Sequence, residues 1–555
     1  MKFANLTERL RHTFQLNKNR KHQSTSQVMK TYNSLNNWKK FQITLFWEGI
    51  LVGVFSGLII SLFRYLLTEA EEWRIQAFAF LENNEPHYSF LWFAGLLVVA
   101  YVLYRISHHE PMASGSGIPQ VKGVILGLMR MNWFRILWVK LSGGVIGLGA
   151  GLSLGREGPS IQIGAVAAQG ISRFLGRTRM EERYLITSGA SAGLATAFNA
   201  PLAGVIFALE ELHRNFSAVV LLPAMAAALT ATFISRILFG RATIFSFYGL
   251  QPLALDYHIL FPILTAIIAG VAGVIFNKGL LNVGRFYKLS IFPNGYSKVA
   301  FALLVSGVLG FVLPQVLGGG NILVNELALQ SFPSKLLVLL IVGKFLFTLV
   351  SYGCGVPGGF FLPMLVLGAL TGSLCANGLI ALGLILPEQL PNIIIIAMAA
   401  FFSASVRAPI TGTVLIMEMT GSFDHMMVLA IASAIAYVIA EMLGGQPIYE
   451  ALLVKQLENR TAPPENMVKD ERDIIEVPVC SGSILENKRV RDIKWPHCCL
   501  LVDVKRGPDQ LVPDGETVLR QGDYLYILTK TENAEEVKSM GEDIQAPHST
   551  VYGDF

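Results

Sequence analysis

A chain of 555 residues that is 52% hydrophobic and only 15% charged, with a mean hydropathy of +0.50, has too little charge to cover a soluble protein of its size. Five cysteines, two of them (Cys354 and Cys375) in apolar stretches, give no disulfide framework. The net charge of +5 needs no nucleic acid to explain it, so the composition reads as a polytopic integral membrane protein.

Residues 1–42 are basic and polar, with Arg9, Arg11, Lys18, Arg20 and Lys21 among the cations and Glu8 the one acid. This is not the pattern of a cleaved signal. Positive charge ahead of the first apolar span predicts a cytoplasmic N-terminus. Residues 43–450 form the membrane domain. Runs such as "ITLFWEGILVGVFSGLIISLF" and "LLVLLIVGKFLFTLV" approach the roughly 20 residues that cross a bilayer core.

Within that domain two halves repeat. "GREGPSIQIGA" (155–165) aligns with "GFFLPMLVLGA" (359–369), and Lys140 and Lys344 stand at the same offset before their leading glycines. "NAPLAGVIFALEE" (199–211) aligns with "RAPITGTVLIMEM" (407–419). Three matches in the same order point to a duplication. A segment such as "APLAGVIFALEE" makes only about 18 Å of helix, too short to span. Short segments interrupted by Gly and Pro, at matching places in two halves, mark a transport site built from broken helices.

The first repeat motif carries the unexpected charges Arg156 and Glu157. Pro159 suits the first turn of a helix, and glycines ahead of it expose N–H groups that attract an anion. The partner segment "GGFFLP" (358–363) has the same arrangement without charge. Two such helix starts facing each other would hold a small anion without any fixed cation. Glu157 would compete for the same N–H groups when ionised and withdraw when protonated, making it gate and proton carrier; a salt-bridged pair at a helix start is the plainer reading of Arg156–Glu157. In the second motif Glu210 pairs with Glu418, which suggests a scaffold role, whereas Glu211 pairs with Met419 and is special to the first half. Glu211 is either a second proton site or a helix-end acid balanced by His213 and Arg214. Ser116 in "GSGIP" (115–119) is turn chemistry or a hydroxyl aimed at a cavity. Tyr449 in "GGQPIYE" is an interfacial anchor or a second such hydroxyl. Hydroxyl donors suit a halide, which only accepts.

After Tyr449 charge returns. Residues 451–472 read as a linker, 473–543 as a small α/β domain with β-type runs "DIIEVPV", "CLLVDVK" and "DYLYILTK", and 544–555 as a tail. "HCC" (His497–Cys499) lacks the second ligand pair that a metal site needs.

"GSGIP", "GREGP", "GGFFLP" and the late tyrosine, in this order, resemble the CLC family of chloride channels and proton–chloride exchangers over about residues 45–450. The resemblance implies an all-α homodimer in the bilayer, each subunit with its own pore and two inverted repeats of tilted, partly broken helices. It implies that Ser116 and Tyr449 donate hydroxyls to a central chloride and that the amides of Phe360 and Phe361 bind the same ion. Gly155 and Arg156 complete the anion site. Glu157 becomes the external gate and Glu211 the inner proton glutamate of the exchangers. The expected function is electrogenic chloride/proton antiport, with a passive voltage- or pH-gated chloride channel of the same fold as the alternative. No cofactor is expected beyond the transported ion. "VPDGETVLRQGDYLYIL" is similar to the TrkA-C module of potassium-transport regulators, which implies a regulatory domain able to bind a small cytosolic ligand, or an assembly domain. A potassium-uptake subunit is disfavoured by the lack of a "TVGYG" filter, and an enzyme by the lack of a nucleophile–base or metal cluster. The compact chain and basic N-terminus point to a bacterial plasma membrane, with both termini cytoplasmic.

Overall fold

The computed structural model describes residues 2–214, 216–240, 243–245, 247, 260–458, 472–507, 509–530 and 533–542. The side chains of residues 1–40, most of the expected linker and the tail 544–555 lie outside the described residues. The first half runs α1 (Lys2–Glu82), α2 (Pro86–His109), α3 (Ile118–Ile125), α4 (Trp133–Gly149), α5 (Glu157–Phe174), α6 (Arg179–Phe198), α7 (Pro201–Phe207) and α8 (Ala218–Phe239). Helix α7 widens into a π-helical turn over Ala208–His213. The second half runs α9 (Leu260–Phe286), α10 (Gly295–Val312), α11 (Asn321–Leu329), α12 (Ser334–Gly353), α13 (Phe361–Ala381), α14 (Leu390–Val406), α15 (Pro409–Thr420) and α16 (Met426–Met442), and α17 (Ile448–Glu458) follows. Among the described residues, nine helices are long and apolar enough to cross a membrane. Helices α3, α7, α11 and α15, of 8, 7, 9 and 12 residues, are not.

The halves match in local chemistry as well as in helix order. Gly117 and Gly320, with φ of 89° and 95°, start α3 and α11, a backbone region that a side chain would strain. Asn199 and Arg407 end α6 and α14 in left-handed conformation, and Pro201 and Pro409 then open α7 and α15. The two repeat lysines are fully buried and do the same work. Lys140 Nζ donates to the carbonyls of Ala113 (2.9 Å) and Gly115 (2.7 Å), and Lys344 Nζ to those of Val316 (3.0 Å) and Gly318 (2.8 Å). Each pins the loop that precedes its short helix.

Where the halves meet, equivalent residues clasp each other. Gly155 and Gly359 form an antiparallel bridge, exchanging N–H···O bonds of 2.5 and 2.9 Å. Glu418 accepts from the N–H groups of Leu202 and Ala203 at the start of α7 (3.2 and 2.8 Å). Reciprocally, Glu210 accepts from those of Ile410 and Thr411 at the start of α15 (3.2 and 2.7 Å). Each acid therefore caps the opposite half's broken helix, and the scaffold role expected for this pair follows from a donor set at a helix N-terminus. An antiparallel exchange between equivalent residues is what a two-fold relation between inverted halves produces.

The C-terminal domain is a four-stranded antiparallel sheet of β1 (Arg472–Pro478), β2 (Leu500–Arg506), β3 (Asp509–Leu511) and β4 (Asp523–Lys530) in the order β1-β4-β2-β3, with α18 (Ala534–Glu542). Ile475, Val477, Val504, Leu525, Ile527 and Val537 form its core. The β-type runs forecast three of the strands; the short β3 carries no such signal. The domain touches the membrane part through Tyr184 Oη–Glu476 Oε2 (3.5 Å) and Lys538 Nζ–Leu126 O (3.4 Å).

Candidate anion and proton sites

Three loops converge at the middle of the molecule. The loop carrying Ser116 is held from behind by Lys140 and stitched to the segment before α13, where the Gly358 N–H donates to Gly115 O (3.0 Å). The start of α5 lies against the same loop: a Cβ on Gly158 would stand 2.8 Å from the Ser116 carbonyl oxygen. Only a glycine permits that approach. Phe360 and Phe361 are the N-cap and first residue of α13, positions whose N–H groups have no intrahelical partner. From the far end of the membrane domain α17 brings in Tyr449. Its ring stacks on Phe360 at 5.4 Å and meets Phe207 edge-on at 6.3 Å.

Ser116, Phe360, Phe361 and Tyr449, some 330 residues apart at the extremes, are thus gathered and buried. The Tyr449 hydroxyl is fully buried and has no hydrogen-bond partner in the protein. A donor left so at the bottom of a closed site is costly unless something outside the chain accepts from it. Ser116 Oγ takes a long bond from the Ile118 N–H (3.3 Å). Helix starts and hydroxyls, all donors, surround the same point.

Glu157 sits above this point, at the first position of α5, and is fully buried. Its carboxylate faces its own N–H and that of Leu362 at the start of α13, yet neither oxygen completes a regular hydrogen bond. The Arg156 Nε stands 3.9 Å away, too far for a tight pair, and is itself without a hydrogen-bond partner. The side chain therefore lies against these N–H groups and is held there loosely. Gly155 differs from its expected part: its N–H is donated to Gly359, so it shapes the site instead of donating to an ion. Lys140 Nζ donates to the carbonyl of Gly115, next to Ser116, and so holds the loop in place.

Glu211 lies on the other side of Tyr449, in the π-helical turn. It is 2% exposed, and its carboxylate is paired with Lys122 Nζ at 2.8 Å, not with His213 or Arg214. Arg214 pairs with Glu450, and His213 Nδ1 meets Thr187 Oγ1 at 3.3 Å. Two participants went unread in the sequence. Tyr352 places its hydroxyl against Ser116 and its ring 5.0 Å from Phe360. Its position in "SYGCG", just ahead of the glycines, was the available signal. Lys122 is a basic residue in an eight-residue apolar helix, and that incongruity was visible.

These features define a membrane protein in which helix starts, hydroxyls and two buried carboxylates gather at the junction of inverted repeats. The chain belongs to the voltage-gated chloride channel family, whose sequence model (Voltage gated chloride channel) matches residues 94–441, and a TrkA-C domain model matches residues 474–540. It is 35% identical over 430 residues to the H(+)/Cl(-) exchange transporter ClcA of Vibrio vulnificus, covering 75% of this chain and 91% of that protein. The ClcA exchange transporter of Salmonella agona is 33% identical over 441 residues, 76% of this chain and 91% of that one. Among solved structures, a slow cyanobacterial Cl-/H+ antiporter superposes with a TM-score of 0.70 at 32% identity, over 75% of this chain and 98% of its own. A eukaryotic CLC transporter shares the fold with a TM-score of 0.64 at 21% identity, over 75% and 74% of the two chains.

Proposed function

We propose that this protein is an electrogenic chloride/proton antiporter and not an enzyme, working as a homodimer in a bacterial plasma membrane with both termini in the cytoplasm. The observation that carries the reading is the loosely held Glu157 carboxylate inside a ring of anion donors, with a second buried carboxylate, Glu211, beyond Tyr449. Ionised Glu157 fills the outer part of the anion path. A proton taken from outside removes its attraction for the N–H groups at the start of α13 and releases the side chain. Chloride then advances outward, from the Ser116 and Tyr449 hydroxyls onto the donors it vacates. Partial charges, with Lys140 set back behind a carbonyl, favour entry without trapping the ion. The proton leaves by a separate branch through Glu211, so the two ions share only the outer route. The similarity to named exchange transporters supports the same reading. The TrkA-C domain is the regulatory part, taking a small cytosolic ligand.

The test uses purified protein in chloride-loaded liposomes with the membrane potential clamped, recording external pH while the chloride gradient dissipates. Uphill proton movement is the expected result; chloride flux without it would make the protein a passive channel. Glu157→Gln and Glu211→Gln should each retain chloride flux and abolish proton movement. Wild-type proton flux in Glu157→Gln removes the gate assignment.

A further inference from the structure

The mechanism leaves Lys122 unused. It is 1% exposed, on α3 six residues after Ser116, and its ammonium lies between two carboxylates. One is Glu211 at 2.8 Å. The other is Glu450 at 3.4 Å, whose side chain is 33% exposed and also pairs with Arg214. Glu450 follows Tyr449 directly and lines a cavity of about 520 Å³ between the membrane part and the C-terminal domain. Lys122, Arg214 and Glu450 all line that cavity, so the ion-pair chain connects Glu211 to it.

Taking up a proton costs Glu211 its ion pair, and a buried ammonium left without a counter-ion is strongly unfavourable. The geometry supplies the remedy. We infer that Lys122 is a positioning residue for the proton step, holding Glu211 ionised and oriented while it waits and resting on Glu450 once Glu211 is protonated. The inference depends on the reading of Glu211 as the inner proton site. In the step, the proton reaching Glu211 binds one of its oxygens, the Lys122–Glu211 contact breaks while Lys122 stays an ammonium paired with Glu450, and the proton then passes to water in the cavity, which lets the Lys122–Glu211 pair re-form. The groups facing Glu211 are Lys122 from α3, Arg214 from its own turn, and Tyr449 and Glu450 from α17. The last two link the proton site to the central anion donor through one peptide bond.

The experiment compares Lys122→Met, Lys122→Arg, Glu450→Gln and Glu211→Gln in the same liposomes, reading chloride flux, proton flux and their dependence on pH. Lys122→Met should retain chloride flux within about threefold, lower the proton-to-chloride ratio, and move the pH midpoint of the remaining proton flux upward by about one to three units, the shift expected when an adjacent cation is removed. Glu450→Gln should lower the ratio as well. Lys122→Arg, whose planar fork grips a carboxylate at two points, should slow protons more than chloride. Adding Lys122→Met to Glu211→Gln should change nothing further in proton transport. A Lys122→Met protein with the wild-type ratio and pH profile overturns the inference. If that variant loses all flux, Lys122→Arg decides: equal slowing of both ions overturns it, and selective slowing of protons upholds it. Coupling that survives Glu211→Gln instead sinks the assignment of Glu211, whatever Lys122 does.

Discussion

Tyr449→Phe separates a binding hydroxyl from a structural one. The phenol oxygen has no protein partner, while the ring stacks on Phe360 and packs against Phe207; phenylalanine keeps both contacts. If the hydroxyl serves chloride, its removal deletes a hydrogen bond to a charged acceptor, worth about 1.5–3 kcal/mol, which is about 10- to 150-fold in Kd. Without chloride the substitution removes a buried unsatisfied group, so the empty protein should be at least as stable, by about 1 kcal/mol. Two assays read these separately. Chloride titration by calorimetry gives the affinity, and thermal unfolding in a large non-permeant anion gives the stability of the empty site. The rise in melting temperature on adding chloride should shrink in the mutant, since stabilisation by a ligand follows its affinity. A mutant that melts earlier in the absence of chloride and binds chloride like the wild type would refute the reasoning and make Tyr449 a packing residue.

Removing the reciprocal caps should destabilise the halves unequally. Glu418→Ala leaves two donors at the start of α7 unpaired and should cost about 2–4 kcal/mol; Glu210→Ala should cost more, because Glu210 also accepts from the Thr411 hydroxyl at 2.7 Å. Melting temperatures in detergent check the order, and equal losses would count against the capping account. At the domain junction, burial pushes the Glu476 carboxyl up from 4.5, against the hydroxyl bonds of Tyr526 and Tyr184. A carboxyl raised by folding binds more protons folded than unfolded, so its contribution to stability is largest at low pH and falls as pH rises above about 4.5. Hydrogen exchange of β1 and α18 should speed up across that range, and Glu476→Gln should flatten the response.

The repeat was legible in the sequence because its scaffold uses residues with few alternatives. A left-handed glycine, a proline at a first helical position and a buried lysine at fixed offset each leave a mark on both halves. Lys140 and Lys344 were found by spacing alone, and the structure gives them identical work on carbonyl oxygens. What spacing did not reveal were partners far apart in sequence. Lys122 and Glu211 are 89 residues apart, and local charge counting assigned Glu211 to its neighbours His213 and Arg214. Likewise Gly155 read as an anion donor because glycines ahead of a helix start expose N–H groups; its N–H is spent on Gly359, which only the facing half could disclose. The strands of the C-terminal domain were legible where β-type residues run together between turns, and β3, three residues long, is too short to show such a run.

The departures from symmetry are where the chemistry lies. Paired positions that kept their residue type carry architecture: lysine against lysine, Glu210 against Glu418, Gly155 against Gly359. At two paired positions the halves differ by a carboxylate, Glu157 facing Phe361 and Glu211 facing Met419. A pair of identical acids would place two like charges about one shared anion path, raising the cost of both carboxylates and of the ion. Apolar partners avoid this. Phe361 supplies a backbone N–H at the start of α13 without a competing carboxylate, and its ring packs against Phe198 at 5.3 Å and Phe402 at 5.1 Å. A single acid at each level then meets donors contributed by both halves. Phe361→Glu should therefore pass chloride more slowly than Phe361→Gln, which puts a side chain of the same size there without the charge. Comparable chloride flux in both variants would remove the asymmetry argument, because it would mean that the second half tolerates an acid where the first half carries Glu157.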